Sequence, residues 1–470
     1  MMISLDKVFS YIDSAFEAHL EETRAFIRQP SISADGTGIQ EMAALVASRV
    51  CELGGEAEVI PTAGHPVVYG HVDVGAPSTL LVYGMYDVQP VLGESWRVPP
   101  FSGEIVDLDG FGPCMVSRGI MNSKGPLAGF FNAMQSLRET AGTLPANLKF
   151  VVEGEEELGS RNLPSFVRAH KTLLEADGCF FPFYSQDLTG KVVMYLGVKG
   201  LVFMELVARG GSWGGPTTRD VHGMNAVWFH SPAWSLTQAL STMLSQDQKH
   251  ILIEELDDMV APPSAEDMAL LERLASSFDE TTQMKDYEVE RFKYNLRGVD
   301  LLRQFLYRPS LNINGLVSGH HEEGMKTVLP HEARAKIDVR LVPDMKPEEV
   351  VRQVRRHLDR RGFEHIELRV QSGYPWSKSS VSDAANAPML KTYQELGYEP
   401  EIWPLVSGAA PFYLFTQELN MPIAMGGLGH GGRQHSPNEY ATVEGMRQFE
   451  KSAAAYVVHF ANHFAQRGAS

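Results

Sequence analysis

Cysteine and basic residues are both scarce in this sequence. Three of its 470 residues are cysteine. Three scattered thiols are too few for a disulfide framework or a zinc cluster, so they predict a reducing, cytoplasmic compartment. Acidic residues outnumber basic residues by 58 to 41, which gives a formal charge of −17. This charge argues against binding to nucleic acid or to an anionic membrane surface, and it favours small molecules or proteins as partners.

Long apolar runs are missing as well. No stretch approaches the roughly 18 uninterrupted apolar residues that a membrane-spanning helix needs. The segment at 5–30 has an amphipathic helical pattern with mixed charges, and it lacks the apolar core of a signal peptide. We therefore expect neither a transmembrane helix nor a secretory signal.

The length and the patterning indicate more than one domain. A chain of 470 residues with 44% hydrophobic content can bury a large core, and its length predicts two or three domains. Strand and helix patterns alternate up to about residue 198, which predicts a mostly parallel sheet flanked by helices. A different unit begins near residue 200. Within it, an alternating strand pattern at 327–343 and a helix that opens at Pro347 suggest a βαβ arrangement.

Six separated segments combine apolar runs with clustered polar residues. They are YGMYDVQPV (83–91), DGFGPCMVSRGIMNSKGP (109–126), KFVVEGEEELGS (149–160), RDVHG (219–223), TVLPHEARAKIDVRLVP (327–343) and GLGHGGRQHSPNE (427–439). The first and third run from a buried-strand pattern into polar residues, the usual place for catalytic groups in an open α/β sheet. In this order, the segments resemble the carnosinase, aminoacylase and glutamate carboxypeptidase family of zinc exopeptidases, most closely its dipeptidase branch.

The resemblance implies a domain organisation and an assembly. It implies an α/β peptidase-like domain formed by two parts of the chain, residues 1–198 and 383–470. Between them, residues 199–382 would form an inserted α+β lid and dimerisation domain. A homodimer through that inserted domain is therefore expected from the resemblance alone.

The resemblance also implies a two-metal site, but three of the expected ligands are replaced. Met85 stands where the family has His, and Asn122 and Phe183 stand where it has Asp. A thioether is a soft donor, an amide oxygen carries no charge, and a phenyl ring offers no ligand. Glu157 and His435 match the ligands that remain. We therefore expect no cofactor, with a single Zn²⁺ or Mn²⁺ held by these two residues as the alternative.

Other positions match the family's catalytic groups. Glu156 matches the general base, and nearby carboxylates would raise its pKa. Asp87 matches the residue that orients the first ligand, and His435 is a second candidate acid/base. His222 matches a lid histidine that polarises the scissile carbonyl, often across a dimer interface. The alternatives are a solvated helix start around Glu156 and a purely structural role for His222.

Four residues match substrate-binding positions. Arg340 matches an arginine that clamps the free carboxylate of the substrate, for which the guanidinium fork is well suited. Asn314 resembles a substrate contact, Gly408 lies in a glycine-rich substrate loop, and Lys124 follows the replaced bridging position. The alternatives are a surface ion pair for Arg340, an Asn-Gly turn at Asn314 and a structural partner for Lys124. The implied substrate is a small amino-acid or peptide-like molecule with a free carboxylate.

Some further residues could take part in the chemistry. His320, His321 or His430 could complete a metal site with the two retained ligands, although we favour loop positions for all three. Cys114 precedes Asn122 in the same segment, and we favour a small structural residue there over a nucleophile.

Three functions are consistent with these residues. The leading hypothesis is an enzyme that acts without the two-metal site in a non-hydrolytic reaction, such as acyl transfer, amide formation, cyclisation or elimination, with Glu156 as general acid/base. One alternative is a one-metal dipeptidase or amidohydrolase. The other is a pseudopeptidase that binds a ligand or a partner without turnover.

Overall fold

The structure is a computed structural model that describes residues 3–187 and 189–467. Its α-helices are α1 (Leu5–Arg28), α2 (Ile39–Glu52), α3 (Lys124–Ala141), α4 (Leu163–Ala169), α5 (Pro232–Met243), α6 (Ala265–Ala275), α7 (Glu280–Asp286), α8 (Gly298–Tyr307), α9 (Pro347–Arg360), α10 (Asn386–Glu395) and α11 (Val443–Arg467). Its strands are β1 (Glu56–Ile60), β2 (Val67–Val72), β3 (Thr79–Met85), β4 (Glu104–Leu108), β5 (Gly112–Val116), β6 (Asn147–Glu153), β7 (Gly178–Pro182), β8 (Val193–Tyr195), β9 (Gly197–Val198), β10 (Gly200–Arg209), β11 (Val221–His222), β12 (Ser310–Ser318), β13 (Val328–Leu329), β14 (Glu332–Leu341), β15 (Ile366–Tyr374), β16 (Ser377–Lys378), β17 (Glu401–Trp403), β18 (Ile423–Gly426), β19 (Gly431–Gly432) and β20 (Tyr440–Thr442).

The chain divides into two compact units. The first comprises Met1–Leu196, Lys378–Trp403 and Leu414–Ser470, and the second comprises Gly197–Ser377 and Pro404–Tyr413. The sequence-based boundaries assigned 404–413 to the first domain. Backbone hydrogen bonds explain its place in the second unit, because Lys199 N donates to Val406 O at 3.1 Å and Val406 N donates to Gly197 O at 2.8 Å.

The first unit contains an eight-stranded sheet in the order β1-β2-β6-β3-β7-β18-β8-β17. The four central strands β6, β3, β7 and β18 are parallel, whereas β1, β2 and β8 each have an antiparallel neighbour. Central parallel strands are apolar along their whole length because both faces are covered, and β3 (TLLVYGM) has this composition. Helices α1, α3 and α11 pack against one another. The predicted α/β fold with a mostly parallel sheet is confirmed.

The second unit is built on a four-stranded antiparallel sheet in the order β12-β14-β10-β15. Strands β14 and β15 both pair with β10 and are joined through α9, which gives the predicted βαβ unit with one strand between its two strands. Helix α9 begins at Pro347, and Glu348 and Glu349 occupy its first turn, where carboxylates favour the helix dipole. Helices α5 and α9 cover one apolar cluster of the sheet.

Two local expectations differ from the structure. The segment after β6 was expected to enter a helix, but only a short 3-10 turn forms at Glu156–Leu158, and α4 begins at Leu163. Gly159 (φ +85°) and Ser160 (φ +45°) adopt left-handed conformations, which end a right-handed helix. The Asn-Gly pair at 314 and 315 does not form a turn, because it lies within β12 at a β-bulge.

None of the described helices is both long and apolar enough to cross a bilayer.

Candidate active site

Two adjacent parallel strands bring three carboxylates together at their carboxyl ends. Strands β3 and β6 pair in parallel, with Met85 opposite Glu153. Asp87 lies two residues beyond β3, and its Oδ1 accepts a hydrogen bond from Glu156 N at 3.1 Å. Its Oδ2 accepts one from Glu157 N at 3.0 Å. Asp87 therefore fixes the backbone that carries the glutamate pair.

Glu157, Asn122 and His435 converge beside this pair, and we call them the Glu157 cluster. Asn122 Nδ2 donates to Glu157 Oε1 at 2.9 Å and lies 2.9 Å from His435 Nε2. His435 Nε2 lies 3.1 Å from the same Glu157 oxygen. Gln89 Nε2 donates to the other oxygen, Glu157 Oε2, at 2.8 Å. The structure thus brings the two retained ligand positions and one replaced position into direct contact.

The contacts of His435 Nε2 compete with one another. An imidazole nitrogen either donates a hydrogen or accepts one. Contact with Glu157 Oε1 requires a hydrogen on Nε2, whereas a bond from Asn122 Nδ2 requires its lone pair. The hydrogen bond to Glu157 raises the pKa of His435, which favours the protonated ring. A proton or a cation between the imidazole and the carboxylate therefore decides which partner His435 binds.

Burial shifts the neighbouring carboxyl groups towards their neutral forms. Asp87 is fully buried, and desolvation raises its pKa to about 7. Desolvation, followed by the charges of Glu157, Asp87 and Glu153, raises the pKa of Glu156 well above its usual range. A raised pKa makes a carboxyl group a better proton acceptor, which suits general acid/base chemistry.

The replaced positions lie at the same edge of the sheet. Met85 is the last residue of β3 and is buried. Phe183 follows β7, the parallel neighbour of β3, and its backbone N donates to Gly426 O at 3.1 Å. Across residues 3–187 and 189–467, no three His, Cys, Asp or Glu side chains are placed to hold a metal ion. The residues present therefore do not fit a two-metal site.

A single ion fits better. Two ligand atoms on a tetrahedral zinc, each bonded at about 2 Å, lie roughly 3.3 Å apart. The 3.1 Å between Glu157 Oε1 and His435 Nε2 is close to this spacing. The Asn122 amide is next to both atoms and can offer its oxygen after rotation, since an amide presents either end. This set has two strong ligands, one fewer than catalytic zinc sites usually have.

A buried carboxylate that the sequence analysis missed holds the loop of Asn122. Glu439 Oε1 accepts hydrogen bonds from Met121 N and Asn122 N, both at 2.9 Å. Its Oε2 accepts from Gly119 N at 3.1 Å and from Arg118 Nη1 at 3.0 Å. Both charged residues are about 1% exposed. They lie in the motifs SRG and SPNE, so those motifs contained the signal although neither residue was singled out.

The guanidinium of Arg118 is held from two further sides. Its Nη2 donates to both oxygens of Glu94 at 2.9 and 3.0 Å. Its central carbon lies 5.2 Å from the ring centroid of Trp96, within cation–π range. This ion pair and the stacked ring fix the arginine that supports Glu439.

Lys124 has structural partners in the first unit. Its Nζ is fully buried and donates to Gln29 O at 2.6 Å and to Ile27 O at 3.4 Å. Burial lowers the pKa of Lys124 to about 7. These contacts correspond to the structural alternative for Lys124 and not to a role in substrate binding.

His430 and Cys114 are also held within the first unit. His430 Nδ1 lies 2.8 Å from Gln186 O, and its Nε2 lies 3.1 Å from Tyr440 Oη. Both ring nitrogens are therefore engaged away from the Glu157 cluster. Cys114 is buried in β5, and desolvation raises its pKa to about 11, so its thiol is not activated as a nucleophile.

The predicted substrate-binding residues lie in the second unit. Arg340 Nε lies 3.3 Å from Asp338 Oδ1, and Asn314 Nδ2 donates to Asp338 Oδ2 at 3.0 Å. The structure thus brings Arg340 and Asn314 together at one carboxylate. Gly408 is exposed, with open space where a side chain would extend.

The predicted lid histidine His222 and the two loop histidines His320 and His321 also lie in the second unit. His222 ends β11, where its Nδ1 accepts from Met224 N at 3.2 Å and its Nε2 lies 3.1 Å from Thr327 Oγ1. It is exposed and caps a short 3-10 helix. His320 and His321 lie in the segment after β12.

The fold, with Asp87, Glu156 and Glu157 at the carboxyl edge of its sheet, places the protein in the class of zinc-exopeptidase-like proteins. An M20 family metallo-carboxypeptidase from Sulfolobus solfataricus, Sso-CP2, superposes with a TM-score of 0.87 and 31% identity, over 94% of this chain and 99% of that one. The di-peptidase Dug1p from Saccharomyces cerevisiae has the same fold, with a TM-score of 0.82 and 24% identity over 98% and 99% of the two chains.

The family follows from the sequence match. The model of peptidase family M20/M25/M40 matches residues 81–459, so the chain belongs to this family. The Cys-Gly metallodipeptidase dug1 of Schizosaccharomyces pombe is 26% identical, over 98% of this chain and 99% of the relative. The Beta-Ala-His dipeptidase of Rattus norvegicus is 26% identical, over 96% and 95%. The family resemblance drawn from the motifs is confirmed.

Proposed function

We propose that the protein is a dipeptidase that holds one metal ion between Glu157 and His435. The observation that carries this proposal is the 3.1 Å separation of Glu157 Oε1 and His435 Nε2, with the Asn122 amide 2.9 Å from each. Relatives named as a metallodipeptidase and a dipeptidase support it. This is the one-metal alternative, and it replaces the non-hydrolytic reaction as the leading hypothesis.

The protein's own residues then have separate tasks. A bound Zn²⁺ or Mn²⁺ supplies Lewis acidity and lowers the pKa of water. Glu156 removes a proton from the attacking water and returns it to the leaving amine, because its raised pKa lets it hold that proton. Asp87 keeps Glu156 and Glu157 in place through their backbone N–H groups.

Four further roles come from the family resemblance alone and stay predictions. They are binding of the free carboxylate of the substrate by Arg340, Asn314 and Gly408, and a hydrogen bond from His222 to the scissile carbonyl. A homodimer through the second unit, expected from the family resemblance, belongs to the same proposal.

The test is hydrolysis of Cys-Gly and β-Ala-His by protein stripped with a chelator and reloaded with Zn²⁺ or Mn²⁺. We expect cleavage only after reloading. His250→Ala, an exposed histidine of the second unit, serves as a control and keeps full activity. Absence of cleavage of either dipeptide after reloading overturns the proposal.

A metal-independent reaction on the same substrates is the second candidate. It is favoured by the donation from Asn122 Nδ2 to Glu157 and by the apolar side chains of Met85 and Phe183. In this case Glu156 moves a proton without an ion. Conversion of a dipeptide to a product other than its free amino acids, at a rate unchanged by chelator, identifies this second function.

A further inference from the structure

A cavity of about 310 Å³ within the second unit is lined by five cationic side chains and by no acidic residue. They differ in burial. Lys199 is buried and Arg340 is half-buried, and we call these two the inner pair. Lys249, Lys293 and Arg308 are exposed, and we call these three the outer cations. A chain with a formal charge of −17 therefore concentrates positive charge at one small cavity.

The outer cations lack the partners that neighbouring cations have. Arg303, which is not among the residues that line the cavity, forms an ion pair with Asp300 at 2.8 Å. Among the residues that the structure describes, Lys293 and Arg308 have no carboxylate oxygen within 4.0 Å. Lys293 Nζ instead lies 5.8 Å from the centroid of the Tyr294 ring. Lys293 and Arg308 therefore line the cavity without an ion-pair partner among the described carboxylates.

Three acidic residues lie near the cavity. Asp338 is 3.3 Å from Arg340 Nε. Asp247 accepts from the backbone N of Lys249 at 3.2 Å. Asp257, like Asp247, is close enough for its charge to raise the pKa of the lining residue Tyr294. Three carboxylates do not balance five cations, so the cavity keeps a net positive charge.

Lys199 is held in place at the cavity by two backbone carbonyl groups. Its Nζ donates to Phe305 O at 2.6 Å and to Arg308 O at 2.8 Å, at the end of α8. An ammonium group has three N–H bonds, so one remains for a ligand. Burial, and then the charge of Arg340, lower the pKa of Lys199 to about 7. An anion in the cavity would offset the burial of Lys199 and the charge of Arg340, and it would raise the pKa of Lys199 again.

We propose that this cavity binds a small organic dianion, with one carboxylate at the inner pair and the other at the outer cations. Its connecting carbons would lie against apolar side chains of the same wall, among them Phe292, Phe305 and Leu311. The volume is at the small end of the range for ligand pockets, which suits a molecule of about five or six carbons. The dianion is either the acidic end of a peptide substrate or a separate effector, and the site does not depend on hydrolysis in the first unit.

The test is calorimetric titration of metal-free protein with glutarate and with glutaric acid monoamide, which differ by one charge. At low ionic strength we expect wild type to bind glutarate about fivefold more tightly than the monoamide. The Lys293→Gln/Arg308→Gln double variant should lose this preference, and its residues are exposed, so folding is not at risk. Arg303→Gln is the matched control and should bind as wild type does.

Three results overturn the proposal: equal affinity for the two probes, unchanged glutarate binding in the double variant, or no saturable binding of either probe. Titration of glutarate in the presence of a dipeptide that ends in Glu then shows whether the natural dianion is part of a substrate or a separate effector. Competition identifies the acidic end of a substrate, and independent binding identifies an effector. Because no turnover is measured, failure of the proposed dipeptidase activity leaves this test intact.

Discussion

The carboxyl edge of the parallel sheet has two halves with different chemistry. One half carries Glu156, Glu157 and His435, and the other ends in Met85 and Phe183. The first half is positioned by protein hydrogen bonds, because both oxygens of Asp87 accept backbone N–H groups of the glutamate pair. Asp87 therefore holds the backbone of Glu156 and Glu157 at the same edge of the sheet as the apolar side chains of Met85 and Phe183.

The two halves of the edge also differ in charge, because the half with Glu156 contains several buried carboxyl groups. Asp87 and Glu153 are buried side by side with Glu156, and no lysine or arginine pairs with them among the described side chains. Burial raises the pKa of Asp87 to about 7 and that of Glu153 to about 8. Burial thus favours the neutral, protonated forms of these carboxyl groups.

The largest expected effect is on catalysis by Glu156, in the half of the edge that also carries Glu157 and His435. Glu156→Gln keeps the size of the side chain but removes its proton transfer, so kcat for dipeptide cleavage should fall about 10²- to 10⁴-fold. KM should change little because the substrate contacts remain. Steady-state kinetics measures both, with Glu139→Gln on the exposed face of α3 as control. Full activity of Glu156→Gln would remove this residue from the mechanism.

The next largest expected effect is on the free energy of unfolding, when the support of the Asn122 loop is changed. Glu439→Gln leaves the buried Arg118 without its closest buried counter-charge, and we expect a loss of about 3 kcal/mol in the free energy of unfolding. Glu94→Gln, the matched change at the 22% exposed partner of the same arginine, should cost about 1 kcal/mol or less. Urea denaturation measures both variants. Equal losses would contradict the assignment of Glu439 as the main support of the loop.

Restoring one carboxylate sharpens the comparison of the two halves. Asn122→Asp adds a negative charge beside Glu157 Oε1 and His435 Nε2, and it should raise the affinity for Zn²⁺ about tenfold. Met85→Leu conserves volume and should leave the affinity unchanged, since we assign Met85 to packing. Competition with a fluorescent chelator gives both values. A weakened affinity in Met85→Leu would show that the thioether takes part in binding.

The smallest expected effect is on the pH dependence of stability. The pKa of Glu153 is raised from 4.5 to about 8, so its contribution to stability is complete below pH 4.5 and is lost as the pH rises to about 8. Across this window, the free energy of unfolding should fall more steeply with rising pH in wild type than in Glu153→Gln. Unfolding curves at pH 5 and pH 8.5 measure the difference. Parallel profiles for the two proteins would contradict burial of a neutral Glu153.

Local patterns explain what the sequence could predict. The apolar run before Asp87 and the one before Glu156 mark buried strands, and polar residues after such strands locate the carboxyl edge of the sheet. Helix α9 could be predicted from its proline start, its acidic first turn and its amphipathic spacing. The motif order was sufficient to identify the family.

Contacts between distant segments explain what it could not predict. Lys124 Nζ binds the carbonyl of Gln29, which lies 95 residues earlier. Glu439 binds the amide of Asn122 across 317 residues. The bulge around Asn314 depends on pairing with β14, and the cavity in the second unit gathers side chains from several elements. Such contacts leave no periodic signal in the chain, so they required the fold.

The number of metal ions per chain tests the account most directly. Metal-free protein would be incubated with Zn²⁺, passed through a desalting column and analysed by plasma mass spectrometry, beside Glu157→Gln and His435→Ala. The account predicts about one ion per wild-type chain and essentially none in either variant. Two ions or none in wild type, or an ion retained in both variants, would contradict it.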